Sequence, residues 1–281
     1  MNIMSEKNVQ KDRLDFLVKK FCEDSIEYKD MEIPPEPEEK RRILRSLMNI
    51  RMPRKLSEDI LQVQDAYLRE RAAEKGIVSL DEIPTVKEYY GSSKPYAAGL
   101  SIWQGDITRL ACDAIVNAAN SQMLGCFVPM HTCIDNCIHT FAGIGLRLEC
   151  SRQMNRLREL HGRDYEQPTA VPMLTDAYNL PAKKVIHIVG PIVQTHVTPE
   201  LEKNLADCYR NTLELCLEHG LKSVAFCCIS TGVFRFPNDR AAEIAVETVA
   251  SWLSEHEGVM RRVIFNVFKD EDLQIYEDLL V

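Results

Sequence analysis

The sequence predicts an α/β protein, with helices covering both faces of a mostly parallel sheet. Three observations carry that expectation. From Leu100 onward, short apolar runs (LSIWQ, AIVNAA, KVIHIV, SVAFCCI, RVIFNVF) alternate with longer amphipathic segments near residues 134–160, 200–219, 239–256 and 270–280. The runs have the length of buried strands, and the segments between them are long enough for crossover helices. With 281 residues, 45% of them hydrophobic, the chain can bury roughly three quarters of its unfolded surface and needs no covalent staples.

The first 90 residues read differently. Residues 13–22 (RLDFLVKKFC) place Leu14, Leu17, Val18 and Phe21 at helical spacing. The stretch IPPEPEEK from Ile33 ends that helix and opens another, because proline is tolerated in a first turn but not inside a helix. Ile43, Leu44, Leu47 and Met48 then make a second apolar stripe, and Ile60, Leu61, Val63, Ala66 and Tyr67 a third. GSSKPYAAG at 91–99 has the composition of a joint. The expected organisation is an N-terminal helical extension, residues 1–90, followed by the α/β domain, residues 91–281. The extension either packs on that domain or caps a cleft or a partner surface.

Charge and cysteine content narrow the function. Lys and Arg total 34 against 42 Asp and Glu, a net charge of −8, which argues against a general nucleic-acid binder. A small anion held by backbone amides stays compatible with that balance. No stretch approaches the roughly 20 apolar residues of a membrane span, and the opening residues lack a signal peptide's apolar core. The expectation is a cytoplasmic protein without membrane or nucleic-acid partners. Ten cysteines occur without a disulfide-like spacing and without a CxxC pair. In a reducing compartment most would be small buried hydrophobes, and a minority ligands or nucleophiles.

Three loops after strands hold unusual residues: Gln104-Gly105-Asp106-Ile107-Thr108, Asn117-Ala118-Ala119-Asn120, and Ile229-Ser230-Thr231-Gly232-Val233-Phe234. Glycine among Ser and Thr in the last lets the backbone approach a ligand and aim its N–H groups outward, as phosphate-binding loops do. GDIT, DAIVNAAN, YNLP, VIHIVGP and ISTGVFRFP, in that order from about Leu100, resemble the macrodomain family, which binds ADP-ribose. The resemblance implies a three-layer α/β/α macrodomain fold with a mixed, mostly parallel sheet, and ADP-ribose lying across the strand ends. It implies that Asp106 accepts a hydrogen bond from the adenine amino group and that Ile107 lines the same end. Ser230, Thr231, Gly232, Val233 and Phe234 would wrap the diphosphate and distal ribose, and Asn120 would bond that ribose. Phe268 would be either a stacking face for adenine or a core aromatic at a strand end.

One segment departs from the family pattern. Hydrolytic macrodomains follow NAAN with a glycine-rich loop of the form GGGVDGAIH, whereas this chain has His131-Thr132-Cys133-Ile134-Asp135-Asn136-Cys137-Ile138-His139. With Cys126 this gives Cys126-x4-His131-x-Cys133, two sulfurs and one nitrogen, a donor set that suits zinc and leaves a fourth position open. The segment resembles the zinc-containing microbial macrodomains associated with reversal of protein mono-ADP-ribosylation, and the helical extension is similar to theirs. That resemblance implies one Zn2+ per chain and an ADP-ribosyl ester of a modified protein as substrate, with Asp135 as general base and Asn120 beside it in the catalytic set. Asp135 can equally serve as a helix N-cap. Other readings of the segment are buried packing cysteines with a surface histidine, or a metal-free Cys133 nucleophile activated by His131. A non-catalytic ADP-ribose reader and an O-acetyl-ADP-ribose deacetylase are the functional alternatives. Cys137 is expected in the core and His187 as a hydrogen-bonded strand histidine. His139 is expected to support the loop. Cys112, Cys150, Cys208 and Cys216 have no partner at ligand spacing.

Overall fold

The computed structural model describes residues 3–281, with side chains from residue 9 onward. Three helices open the chain: α1 (Ile3–Glu23), α2 (Pro37–Ile50) and α3 (Glu58–Lys75). Proline starts α2, with Glu38 and Glu39 in its first turn, where negative charge complements the helix dipole. Leu14, Leu17, Val18, Phe21, Leu44, Leu47, Met48, Tyr67 and Leu68 bury their side chains in a core that these helices share.

Short elements β1 (Val78–Ser79) and α4 (Val86–Tyr90) lead into β2 (Leu100–Gln104), β3 (Leu110–Ala111) and β4 (Ala114–Ala119). Then come α5 (Ile134–Ala142), α6 (Ile144–His161), β5 (Met173–Asp176), β6 (Lys184–Val189), α7 (Pro199–Glu218), β7 (Ser223–Phe226), α8 (Asn238–Glu255), β8 (Arg262–Val267) and α9 (Asp270–Leu280). Six strands form one sheet in the order β2-β8-β7-β4-β6-β5. All neighbours are parallel except β5, which runs antiparallel to β6 at the edge. β1 pairs with β3 outside this sheet, while Ile83 and Val86 join the sheet's own core. No described helix is long and apolar enough to cross a membrane.

Three details differ from the sequence reading. The amphipathic segment near 134–160 is two helices, broken at Gly143, whose φ of 92° suits glycine. A Cβ there would stand 2.8 Å from Gln64 Nε2 and 3.0 Å from Leu68 Cδ1, so the glycine also lets α3 close on the break. SVAFCCI forms a strand only to Phe226, and the chain leaves the sheet at Cys227. The edge strand β5 is the third.

Candidate active site

Parallel pairing puts the carboxyl ends of β2, β8, β7, β4 and β6 along one edge of the sheet, where α/β folds place their ligands. Asp106 and Phe268 follow adjacent strands, paired through Gln104 and Val267. Phe268 is 75% exposed, which removes the core-aromatic reading and leaves its ring free to stack. Ile107 is 1% exposed, so its side chain belongs to the core and only its main chain can face a ligand. Asp106 caps the 3-10 turn Ile107–Arg109: its Oδ1 accepts from Thr108 N at 3.0 Å and Thr108 Oγ1 at 2.6 Å. Lys75, from the last turn of α3, pairs with Asp106 Oδ2 at 2.5 Å and lies 3.6 Å from the centre of the Phe141 ring. Burial opposes the charge on Asp106, but hydrogen bonds from Lys75 and Thr108 outweigh it and hold the carboxyl below its ordinary range.

The loop after β7 offers backbone rather than charge. Ser230 is buried with φ 66°, and Phe236 N closes onto Ser230 O at 3.0 Å. Thr231 Oγ1 donates to Cys228 O at 3.0 Å. Gly232 and Val233 are exposed. The N–H groups of Gly232, Val233 and Phe234 have no acceptor among the described residues, an arrangement that suits an anion. Phe234 O is tied to Val193 N at 2.9 Å, which anchors the loop's far end.

After β4, Asn120 and Asp135 meet. Asn120 Nδ2 points at Gly125 O (3.3 Å) and Asp135 Oδ2 (3.4 Å), and the buried Asn117 Nδ2 donates to Asp135 Oδ1 at 2.8 Å. Burial pushes the Asp135 carboxyl up to about 6, with the Asn117 hydrogen bond and the charge of Arg147 acting the other way. Asp135 sits in the first turn of α5, but the cap is Cys133, whose Sγ accepts from Asn136 N at 3.4 Å. The His139 ring lies against the loop at Gly125 without a hydrogen bond to it. Gly125 has φ 80°, and a Cβ there would stand 2.7 Å from the His139 ring.

Cys126, His131 and Cys133 converge, their donor atoms all within 4.8 Å of one another and each half-buried. Cys126 Sγ and His131 Nδ1 are 3.6 Å apart. Two ligands on one tetrahedral zinc, with Zn–S near 2.3 Å and Zn–N near 2.05 Å, stand about 3.6 Å apart, so the pair fits that ion without rearrangement. Burial, then the neighbouring Cys126 and Asp135, raise the Cys133 thiol above its ordinary range. A metal-free thiolate nucleophile is correspondingly disfavoured.

Several contacts lie outside what local residue patterns signal. Cys137 is half exposed rather than in the core, its Sγ 3.7 Å from Arg45 Nη2. Cys150 does find partners: with His139 and His187 it forms a second, fully buried donor set. Asn117 Nδ2 meets His187 Nδ1 at 3.0 Å, so the imidazole proton sits on Nε2, directed at Thr175 Oγ1 at 3.0 Å. A protonated Nε2 has no lone pair for a metal, and His187 is a hydrogen-bonded support, whereas both ring nitrogens of His139 are buried without a hydrogen-bond partner. Burial lowers His187 to about 3 and His139 well below its ordinary value, so both stay neutral. Arg147, buried at the amino-terminal end of α6, donates to Met48 O, Asn49 O and Arg51 O at 2.7–3.0 Å and to Leu124 O at 2.7 Å. Burial brings its guanidinium down to about 10, against the raising effect of Asp135 and neighbouring thiols.

Sheet order, edge and loops together define an α/β domain with an anion-binding cleft flanked by a soft-donor loop. A family model described as Macro domain matches residues 116–245. A protein-ADP-ribose hydrolase of Treponema medium is 44% identical, over 96% of this chain and 99% of its own length. A protein of the same name from Staphylococcus aureus (strain MSSA476) is 40% identical, over 95% of each chain. The Trypanosoma brucei macrodomain solved in complex with ADP-ribose superposes with a TM-score of 0.64 at 27% identity, covering 89% of this chain and 97% of that one. The Oceanobacillus iheyensis macrodomain with ADP gives 0.56 at 40% identity, covering 64% and 89%. This chain belongs to the Macro domain family.

Proposed function

We propose that the protein is a hydrolase that removes mono-ADP-ribose from modified proteins, at an ester to an acidic side chain, with one zinc held by Cys126, His131 and Cys133. The convergence of these three donors beside Asn120 and Asp135 carries the reading. Relatives named protein-ADP-ribose hydrolase, matched over nearly the whole chain, support it. Asp106 would hold the adenine amino group through the carboxylate that Lys75 keeps ionised, with Phe268 stacked on the ring. The free N–H groups at 232–234 would take the diphosphate, and Asn120 the distal ribose. Asp135 orients the attacking water and accepts its proton as a general base, a role worth about 10²–10⁴-fold when the base is well placed. Zinc, when bound, supplies a Lewis acid at this end of the cleft. Ten free cysteines support a reducing, cytoplasmic setting. We place the helical extension at residues 1–90 and the macrodomain at 91–281, with Ile83 and Val86 at the end of the extension already packed into the sheet's core.

The test is release of ADP-ribose from an automodified protein and of acetate from O-acetyl-ADP-ribose, each with and without chelator. Chelator-sensitive release from the protein is the expected result. Acetate release alone would assign the deacetylase. Binding of ADP-ribose without turnover of either would assign the reader, and full activity in zinc-free protein would remove the metal.

A further inference from the structure

The loop carrying Cys126, His131 and Cys133 is held from outside by helix α2, more than eighty positions earlier in the chain. Arg45 Nη2 donates to His131 O at 2.8 Å and to Asn136 Oδ1 at 2.9 Å. Asn136, fully buried, spreads that restraint: its Nδ2 donates to Val128 O at 2.9 Å and Cys126 O at 3.4 Å, and its backbone N to Cys133 Sγ at 3.4 Å. Asn49, also buried, accepts from Met130 N at 3.1 Å and donates to Thr140 Oγ1 at 2.9 Å. Thr140 Oγ1 in turn donates to Asn136 O at 2.7 Å. Every residue of the donor set thus has its carbonyl or sulfur on Asn136 or Arg45, and the residue before His131 is pinned by Asn49.

From this geometry we infer that Arg45 is a positioning residue of the metal loop, with Asn49 as its partner, and that the N-terminal helices are part of the catalytic apparatus rather than a packed accessory. The inference rests on the zinc reading above. Three donors spread over eight residues lose conformational freedom when one ion gathers them. A loop already fixed by Arg45 and Asn49 has given up that freedom on folding, so the ion binds more tightly. Arg45 touches neither donor atoms nor reacting atoms and acts through His131 O and the Asn136 side chain.

The experiment measures zinc affinity of the full chain by competition with a chromophoric chelator, for wild type, Arg45→Met, Arg45→Lys and the control Arg42→Met on the exposed face of α2. Arg45→Met should bind zinc about 10- to 100-fold more weakly, the range for outer-shell partners of metal ligands. Arg45→Lys should recover part of the loss, and Arg42→Met should match wild type. ADP-ribose affinity, read by calorimetry on the same samples, should stay within about twofold in all four, because a purely structural defect would lower both. Should Arg45→Met fail to fold, Arg45→Gln, which reaches at most one of the two acceptors, is measured instead. Wild-type zinc affinity in whichever variant folds overturns the inference. Wild type that binds no zinc at all overturns the reading beneath it, and the two outcomes are read from different samples.

Discussion

The two ends of the cleft are built on opposite principles. The loop at 230–234 is an extension of the sheet: β7 delivers it, Val193 ties down its end, and its binding groups are main-chain N–H donors carrying no formal charge. The loop at 126–133 offers side chains instead, two sulfurs and an imidazole, and leans on helices outside the sheet through Arg45, Asn49 and Arg147. A backbone site needs only the strand register to be correct. A side-chain site needs its loop placed to a few tenths of an ångström, and this chain recruits a second helical unit to do so. On the proposed function, recognition and chemistry are separable in their construction, and the separation can be tested.

The largest effect should come from the donors themselves. Cys126→Ala, His131→Ala and Cys133→Ala should each lose zinc and hydrolysis, by metal analysis and turnover assay, while ADP-ribose affinity changes little by calorimetry. A parallel collapse of binding would break the separation. Next in size is Arg147→Met, which strips donors from the carbonyls of Met48, Asn49 and Arg51 at the end of α2. Leaving those groups unpaired should cost about 3 kcal/mol in a urea melt, the scale for disrupting a buried charged network. Zinc should then be lost at lower urea than the sheet unfolds.

At the recognition end, Asp106→Asn should weaken ADP-ribose by about 1.5–3 kcal/mol, the scale of a hydrogen bond to a charged group. The amide is preferable to alanine because Thr108 and Lys75 also use this side chain. Its effect should fall on KM with kcat nearly unchanged. Smallest is Lys75→Met, at about 1 kcal/mol of stability for a partly exposed pair. Asp106 has a lowered folded-state value, so the pair stabilises the fold above the ordinary carboxylate value, and that contribution disappears as pH falls through the folded one. The deficit of Lys75→Met should therefore be seen at neutral pH and shrink on acidification below about pH 4, where the unfolded-state carboxyl takes up its proton. A deficit constant with pH would show that the stacking on Phe141 matters more.

Much of this was legible in the residue order. β4, β6 and β8 are buried strands whose apolar runs announce them, and the three proposed metal donors lie within eight residues of each other. β5 was not legible, because MLTD is four residues long with a polar end, and what makes it a strand is the edge of β6. Cys137 follows the helical spacing of core residues, yet its side of α5 meets Arg45. Arg45, Asn49 and Lys75 are polar positions of helices that nothing in the local pattern singles out. Their partners His131, Met130 and Thr108 (the last accepting from Lys75 Nζ at 2.8 Å) are 86, 81 and 33 positions away, and local patterning carries no information at that range. His187 was legible as a hydrogen-bonded strand histidine, but its pairing with Cys150, 37 positions away, was hidden in the same way.

The helices α1–α3 bury a core of their own, from Leu14 to Leu68, distinct from the core of the sheet. What joins α2 to the sheet domain is largely polar: the guanidinium of Arg147 on its last carbonyls, and Arg45 and Asn49 on the loop and α5. Two apolar nuclei joined largely by hydrogen bonds, with Ile144 packed against the helical one, should behave as two cooperative units with the seam as the weaker boundary. Amide exchange should show this directly. The protons of Cys126 to Cys133 should exchange together with those of α2, through partial openings that leave β4, β7 and β8 protected. Each such opening would release the soft-donor loop while the phosphate loop stays assembled, so the ion's residence time would be set by the breathing of a helix that never touches it.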